Sequence, residues 1–442
     1  MSLSTRFKLP WGRKSLRAEP TEAPPVVAAP AAESRAARPE LRAGLPGFQT
    51  TAGDHLDRGR SDPFTRQRIR LRNAFTPAQP VVDPRMFAGR SKTLETMIRA
   101  VEDQRSHVII FGERGVGKTS LLNMLGAAAR EARYIVVYFS CGATSDFSET
   151  FRAVATEIPL LFHSGVSPVS SVSGVGNSLL DLLPPGKLTP RQFSDAATKL
   201  VGTRVLVLLD EFDRAESSEF RRDIAELIKT LSDLSARVQV VIAGVAGDLV
   251  DLMDHIPSIR RSITALRIPA MSDEEVRDLV ENGERASGVP FQPDAVELVI
   301  AGAHGSPYLT NLICHLAGMQ ALRDRRVRIE RTDVLAALDE AIDDFNRRLP
   351  SEVMPHLSKL AELLASVENG VEPRRGAPSL DEAVDEDNMA AKLRAHLEKS
   401  GLLKGMPPER HALLIDSLRP YLQLVTARSA VGEKKTWKSE DA

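Results

Sequence analysis

Cysteine is almost missing from this chain: Cys141 and Cys314 are the only two among 442 residues, far apart and without metal-ligand spacing. That count excludes a disulfide framework and argues against a zinc site, and it points to a reducing, cytoplasmic setting. No uninterrupted apolar run is long enough to span a bilayer, and the opening stretch MSLSTRFKLPWGRKSLRAEP lacks the apolar middle of a secretory leader. No membrane span is expected. An excess of one charge is lacking as well, since 58 Lys and Arg stand against 59 Asp and Glu for a formal net charge of -1, so any polyanion contact has to be local. What remains, 42% hydrophobic and 26% charged residues, is the composition of a soluble globular chain, and its length implies two or three domains.

Residues 1–83 are dominated by Ala, Pro, Arg and Glu, show neither helical nor strand periodicity, and are expected to form a disordered tail. Two parts of it are basic, the first seventeen residues and the stretch DRGRSDPFTRQRIRLRNAF; such runs either touch nucleic acid or anionic lipid or are simply solvated. Order is expected from Met86. Short β-branched runs (HVIIFG, YIVVYFS, VLVLLD, VQVVIAG and a last one near Ala265–Ile268) then alternate with amphipathic segments, which predicts parallel βαβ units and a five-stranded α/β core over residues 84–269. The Gly, Ser and Pro-rich region Pro159–Pro190 is read as an insertion or mobile loop. After Pro269 the strands stop. Helical periodicity over Asp273–Ser287, Asp294–Ala303, Pro307–Arg323 and Thr332–Arg347 predicts a helical lid domain at 270–349, and a helix ending in SGLL followed by two short segments suggests a winged helix at 350–426, with a tail at 427–442.

The segment Gly112-Glu113-Arg114-Gly115-Val116-Gly117-Lys118-Thr119, followed by Ser120, fits G-x-x-x-x-G-K-[ST]. Its glycines reach backbone angles closed to other residues and let N–H groups converge on phosphate oxygens. Lys118 brings a point charge to the β and γ phosphates, Thr119 offers a hydroxyl to Mg²⁺, and the helix beginning there adds its positive end. The context agrees, with an apolar strand before the loop and the periodic Leu121, Leu122 and Leu125 after it. The second half of such a site is acid at the end of a buried strand, and the apolar run Val205–Leu209 ends in Asp210-Glu211. Asp210 is expected to hold Mg²⁺ and Glu211 to orient and polarise the attacking water, which makes the chain a candidate Mg²⁺-dependent ATPase.

Together these features resemble the AAA+-like and STAND branch of P-loop ATPases, within it the group related to archaeal ATPases and origin-recognition initiators. The resemblance covers about Met86 to Leu424 and rests on Phe87-Ala-Gly-Arg90, the phosphate loop, Leu208–Asp213, Arg260-Arg261 and Gly305-Ser-Pro-Tyr308. It implies that Phe87 and Arg90 lie near the adenine, that Pro307 caps the base from the helical domain, and that Arg260 or Arg261 serves as an arginine finger for a neighbouring subunit in a nucleotide-dependent oligomer. One departure stands out. The strand VQVVIAG ends in Ala243-Gly244, where the family carries a polar residue facing the γ-phosphate, and no arginine in Gly305–Leu309 replaces the second sensor. A slow regulatory switch acting on a protein partner through the C-terminal module is therefore the leading expectation, and a DNA-associated ATPase resembling initiators or transposition helpers the alternative.

Overall fold

A computed structural model of the chain describes residues 63–165, 178–244, 257–349, 418 and 420–428. All of them lie in one compact unit, Asp57–Ala442. The winged helix expected at 350–426 and both expected tails fall largely outside the described residues.

Five strands, β1 (His107–Phe111), β2 (Ile135–Ser140), β3 (Val205–Asp210), β4 (Val238–Gly244) and β5 (Ile263–Arg267), form one parallel sheet in the order β2-β3-β4-β1-β5. The register pairs Ile109 with Ile242 and Ala265, and Val207 with Val137 and Val240. Every residue of β3 and β4 is buried, as continuous apolar runs in a sheet covered on both faces must be. The pleat sorts those runs by parity. Val108, Ile110, Leu206, Leu208 and Val241 meet α2 (Ser91–Glu102) and α3 (Lys118–Glu131) through Met97, Leu121, Leu122 and Leu125. Ile109, Val205, Val207, Leu209, Val240 and Ile242 face a second core built from α4 (Phe147–Thr156), α5 (Pro190–Ala197) and α6 (Ser218–Asp233). Asp146, Thr189 and Ser217 cap those three helices by accepting from backbone N–H groups of the first turn. The region read as an insertion is partly structured: short 3₁₀ turns at Leu160–Phe162 and Leu179–Leu182 bury Leu179.

The helical domain consists of α7 (Asp273–Ser287), α8 (Pro293–Ala303), α9 (Pro307–Arg323) and α10 (Arg331–Arg348) around a third core. Residues 418 and 420–428 are helical, and Leu418, Tyr421, Leu422 and Leu424 join that core while Arg428 pairs with Asp339 of α10.

Residues 63–83 depart from the expected disordered tail. Pro63–Ala74 is a helix, α1, and both Leu71 and the following Phe75 are fully buried in this third core. Two helical glycines make room for them. A Cβ on Gly283 of α7 would lie 2.0 Å from the Phe75 ring, and one on Gly318 of α9 would lie 2.6 Å from Leu71. Composition hides this helix because only a narrow apolar stripe separates its arginines, and its stability comes from the notches rather than from its own propensity.

Candidate functional site

All five strands are parallel, so their carboxyl ends lie along one edge of the sheet, where ligands bind in open α/β folds. β1 delivers the phosphate loop to that edge. Gly112 cannot carry a side chain, because a Cβ there would stand 2.5 Å from the Ile268 carbonyl oxygen at the end of β5. Gly115 and Gly117 take the left-handed angles φ +82° and +92° that close the loop before α3 begins. The Lys118 ammonium donates to the carbonyls of Gly112 and Glu113 at 2.7 and 2.8 Å, which holds it inside the curl of the loop. The Ser120 hydroxyl supports the loop from behind. It accepts from Val81 N–H at 3.1 Å, while Asn123 donates to the Val81 carbonyl, pinning the segment between α1 and α2 across the first turn of α3.

β4 separates β1 from β3, which sets the acidic strand end about 10 Å from the loop strand, two strand spacings away. Asp210 is only 2% exposed; its Oδ2 accepts from the Tyr138 hydroxyl at 2.7 Å and its Oδ1 from Glu211 N–H at 2.8 Å. Burial and this bond to an anion push the Tyr138 phenol up. Glu211 takes a left-handed φ of +52°, which turns it out of the strand; its Oε2 accepts from Ser140 Oγ at 3.0 Å and from Arg214 Nη1 at 2.8 Å. Burial raises its carboxyl, but hydrogen bonds from Arg214 and Ser140 and the charges of Arg214 and Arg114 outweigh it, and the net shift is downward. Burial and then the charges of Asp210, Asp213 and Glu211 push the Cys141 thiol up to about 12, so it is no nucleophile.

The helical domain completes the enclosure. Gly305, at φ +71°, packs its backbone on Met271, and Ser306 caps α9 by accepting from Leu309 N–H. The start of α9 thereby rests on the phosphate loop: a Cβ on Gly117 would lie 3.7 Å from Pro307 Cγ, and one on Gly115 would lie 3.7 Å from Tyr308 Cβ. Arg90 reaches the same place. Its backbone N–H donates to Glu275 Oε1 of α7 at 2.7 Å, its Nη2 donates to the Pro269 carbonyl at 2.7 Å, and Nη1 points to within 3.8 Å of a Cβ on Gly117. The residue is 6% exposed, yet Nε and Nη1 have no hydrogen-bond partner among the described residues. Burial lowers the guanidinium's pKa, against the charge of Glu275. Orphaned buried donors beside two left-handed glycines, a lysine and a helix start fit an anion.

Most of the sequence-predicted residues thus gather at one edge: Gly112–Thr119, Asp210, Glu211, Arg90 and Pro307. Phe87 packs partly against the α2 and α3 face. Arg260 and Arg261 lie elsewhere, exposed at the amino end of β5 and so at the opposite end of the sheet from the phosphate loop. Sequence reasoning missed Tyr138, Ser140, Arg214 and Glu275. The period of two along β2 puts Tyr138 and Ser140 on one face, but only the pairing of Ser140 with Asp210 shows which carboxylates they serve.

Residues 74–402 match the family described as Novel STAND NTPase 1. No curated protein matches the sequence. Solved structures with a similar chain course include the Aeropyrum pernix ORC1 protein in complex with DNA, 19% identical over 79% of this chain and 87% of that one with a TM-score of 0.43. The Aeropyrum pernix ORC2 protein in ADPNP and ADP complexes is 17% identical over 80% and 98% with a TM-score of 0.46. The Thermotoga maritima RuvB Holliday junction branch migration motor is 15% identical over 80% and 91% with a TM-score of 0.44.

Proposed function

This chain belongs to the Novel STAND NTPase 1 family, and from that premise we propose that it is a slow, ATP-hydrolysing regulatory switch. The observation that carries the reading is the seating of α9 on Gly115 and Gly117, which makes occupancy of the phosphate loop and the position of the helical domain interdependent.

In this reading the loop N–H groups and Lys118 bind the β and γ phosphates of ATP, and the orphaned nitrogens of Arg90 take a further oxygen. Thr119 and Asp210 hold Mg²⁺, with Tyr138 fixing the Asp210 carboxylate; the ion, when bound, neutralises charge on the phosphate oxygens. Glu211 orients and polarises the attacking water once it leaves Arg214 and Ser140. Turnover is slow because Glu211 is restrained and because β4 ends in Ala243-Gly244, without a polar side chain for the γ-phosphate. Arg260 or Arg261 serves the site of a second copy, since neither faces its own loop. The C-terminal module carries the nucleotide state to a partner protein or to DNA. Both cysteines are free and buried, in keeping with a cytoplasmic protein, and no helix among the described residues is long and apolar enough to cross a membrane.

Mg²⁺-dependent ATP turnover by the purified chain, measured beside Lys118→Ala and Glu211→Gln, tests the assignment. Glu211→Gln should bind ATP and hydrolyse it orders of magnitude more slowly, while Lys118→Ala should lose the rise in melting temperature that ATP produces. Undiminished hydrolysis by Glu211→Gln rules out its role.

A further inference from the structure

Helix α1 carries Arg66, Arg68, Arg70 and Arg72 within seven positions. Its apolar stripe is already used, with Leu71 in the Gly318 notch and Phe75 in the Gly283 notch. At 3.6 residues per turn, Arg66 and Arg70 fall on one flank of that stripe and Arg68 and Arg72 on the other. Arg66, Arg70 and Arg72 are exposed, and Arg66 and Arg70 form no ion pair among the described residues. The end of α9 extends the positive surface. The Arg325 guanidinium lies 5.7 Å from the centre of the Phe64 ring on α1. Arg72 and Arg323 both act on His315, whose pKa is lowered chiefly by burial, with the Phe75 carbonyl and Glu340 opposing. In a chain of net charge -1, this concentration of cations is local and is held rigidly by the lid core.

We propose that this arginine ridge is a docking surface for duplex DNA. A helix with its side chains is about 10–12 Å across and the major groove of B-form DNA is about 12 Å wide, so the exposed Arg66 and Arg70 on one flank and the exposed Arg72 on the other are spaced to meet phosphates along a groove edge. Guanidinium groups suit this because they bind phosphate in a fork. The contacts go to the backbone and so do not depend on base sequence. An anionic membrane is the poorer fit, since an interfacial helix needs its apolar face for the lipid and that of α1 is buried in the lid. Duplex binding at this surface does not depend on ATP hydrolysis.

The test is fluorescence anisotropy of a labelled duplex of arbitrary sequence, about two helical turns long, titrated with the full chain over a salt series. Arg66→Ala/Arg70→Ala should bind at least about tenfold more weakly, and its slope of log affinity against log salt should be shallower by about 2, because each arginine neutralises one phosphate. Both residues are exposed, so the double variant should melt at the parent temperature. The titration is run without nucleotide, which keeps a failure of this surface distinct from a failure of the nucleotide site. No binding by the parent, or unchanged affinity and slope in the double variant, overturns the proposal. So does loss of binding to phosphatidylcholine/phosphatidylserine vesicles in the double variant with duplex binding intact, which would reassign the ridge to a membrane.

Discussion

Replacing Arg90 by Met separates a ligand-binding arginine from a structural one, because the two roles predict opposite signs. Met keeps much of the buried volume and deletes the charge. Without nucleotide the substitution loses the hydrogen bond from Nη2 to the Pro269 carbonyl, about 1.5–3 kcal/mol for a charged donor. It also removes a buried cation with two unpartnered nitrogens, each of which costs about 1–3 kcal/mol. The backbone bond to Glu275 stays, and the left-handed φ of +54° strains either side chain equally. The two contributions offset, so the ligand-free melting temperature should be unchanged or higher. With Mg²⁺ and ATP the sign reverses. Losing one charge-assisted hydrogen bond, about 1.5–3 kcal/mol, weakens binding about ten- to hundredfold. Thermal unfolding and an ATP titration of parent and variant read both quantities. A ligand-free destabilisation beyond about 3 kcal/mol together with unchanged ATP affinity would show that Arg90 only supports the fold, and would refute the reasoning.

Phe75→Ala should cost about 3–5 kcal/mol in urea denaturation, since a fully buried ring leaves a cavity against Gly283; a loss below about 1 kcal/mol would mean that α1 is not docked. His107 is buried neutral, with Nδ1 accepting from Val240 N–H and burial lowering its pKa to about 4. Its contribution is therefore full above pH 6.5 and is lost as pH falls toward 4, for a total of about 3 kcal/mol, and His107→Asn should flatten that part of the stability profile. Arg214→Ala should free Glu211, raise ATP turnover at neutral pH and move the acid limb of the pH–rate profile upward, because the carboxylate loses the partner that lowers its pKa. A lower rate with an unmoved limb would place Arg214 outside the site.

The sequence by itself determined those parts whose physics is local. The phosphate loop needs glycines, a lysine and a hydroxyl in consecutive positions, so its chemistry is written in one eight-residue segment. β3 had to be central because Val205–Leu209 offers no polar face to water, and the capped, periodic segments of the helical domain define their own ends, as at Asp273–Ser287 and Pro307–Arg323. Tertiary structure decided what depends on neighbours distant along the chain. Tyr138 and Ser140 look like ordinary edge-strand residues until β2 pairs with β3 and sets them on Asp210 and Glu211. Glu275 reads as the third residue of a capping box, and only the fold shows its second oxygen holding Arg90. The helix α1 is the furthest such case, for its arginine-rich sequence carries too little apolar surface to order itself. The room that Gly283 and Gly318 leave on two other helices lets Leu71 and Phe75 bury fully, and that burial turns a solvated stretch into part of the helical domain.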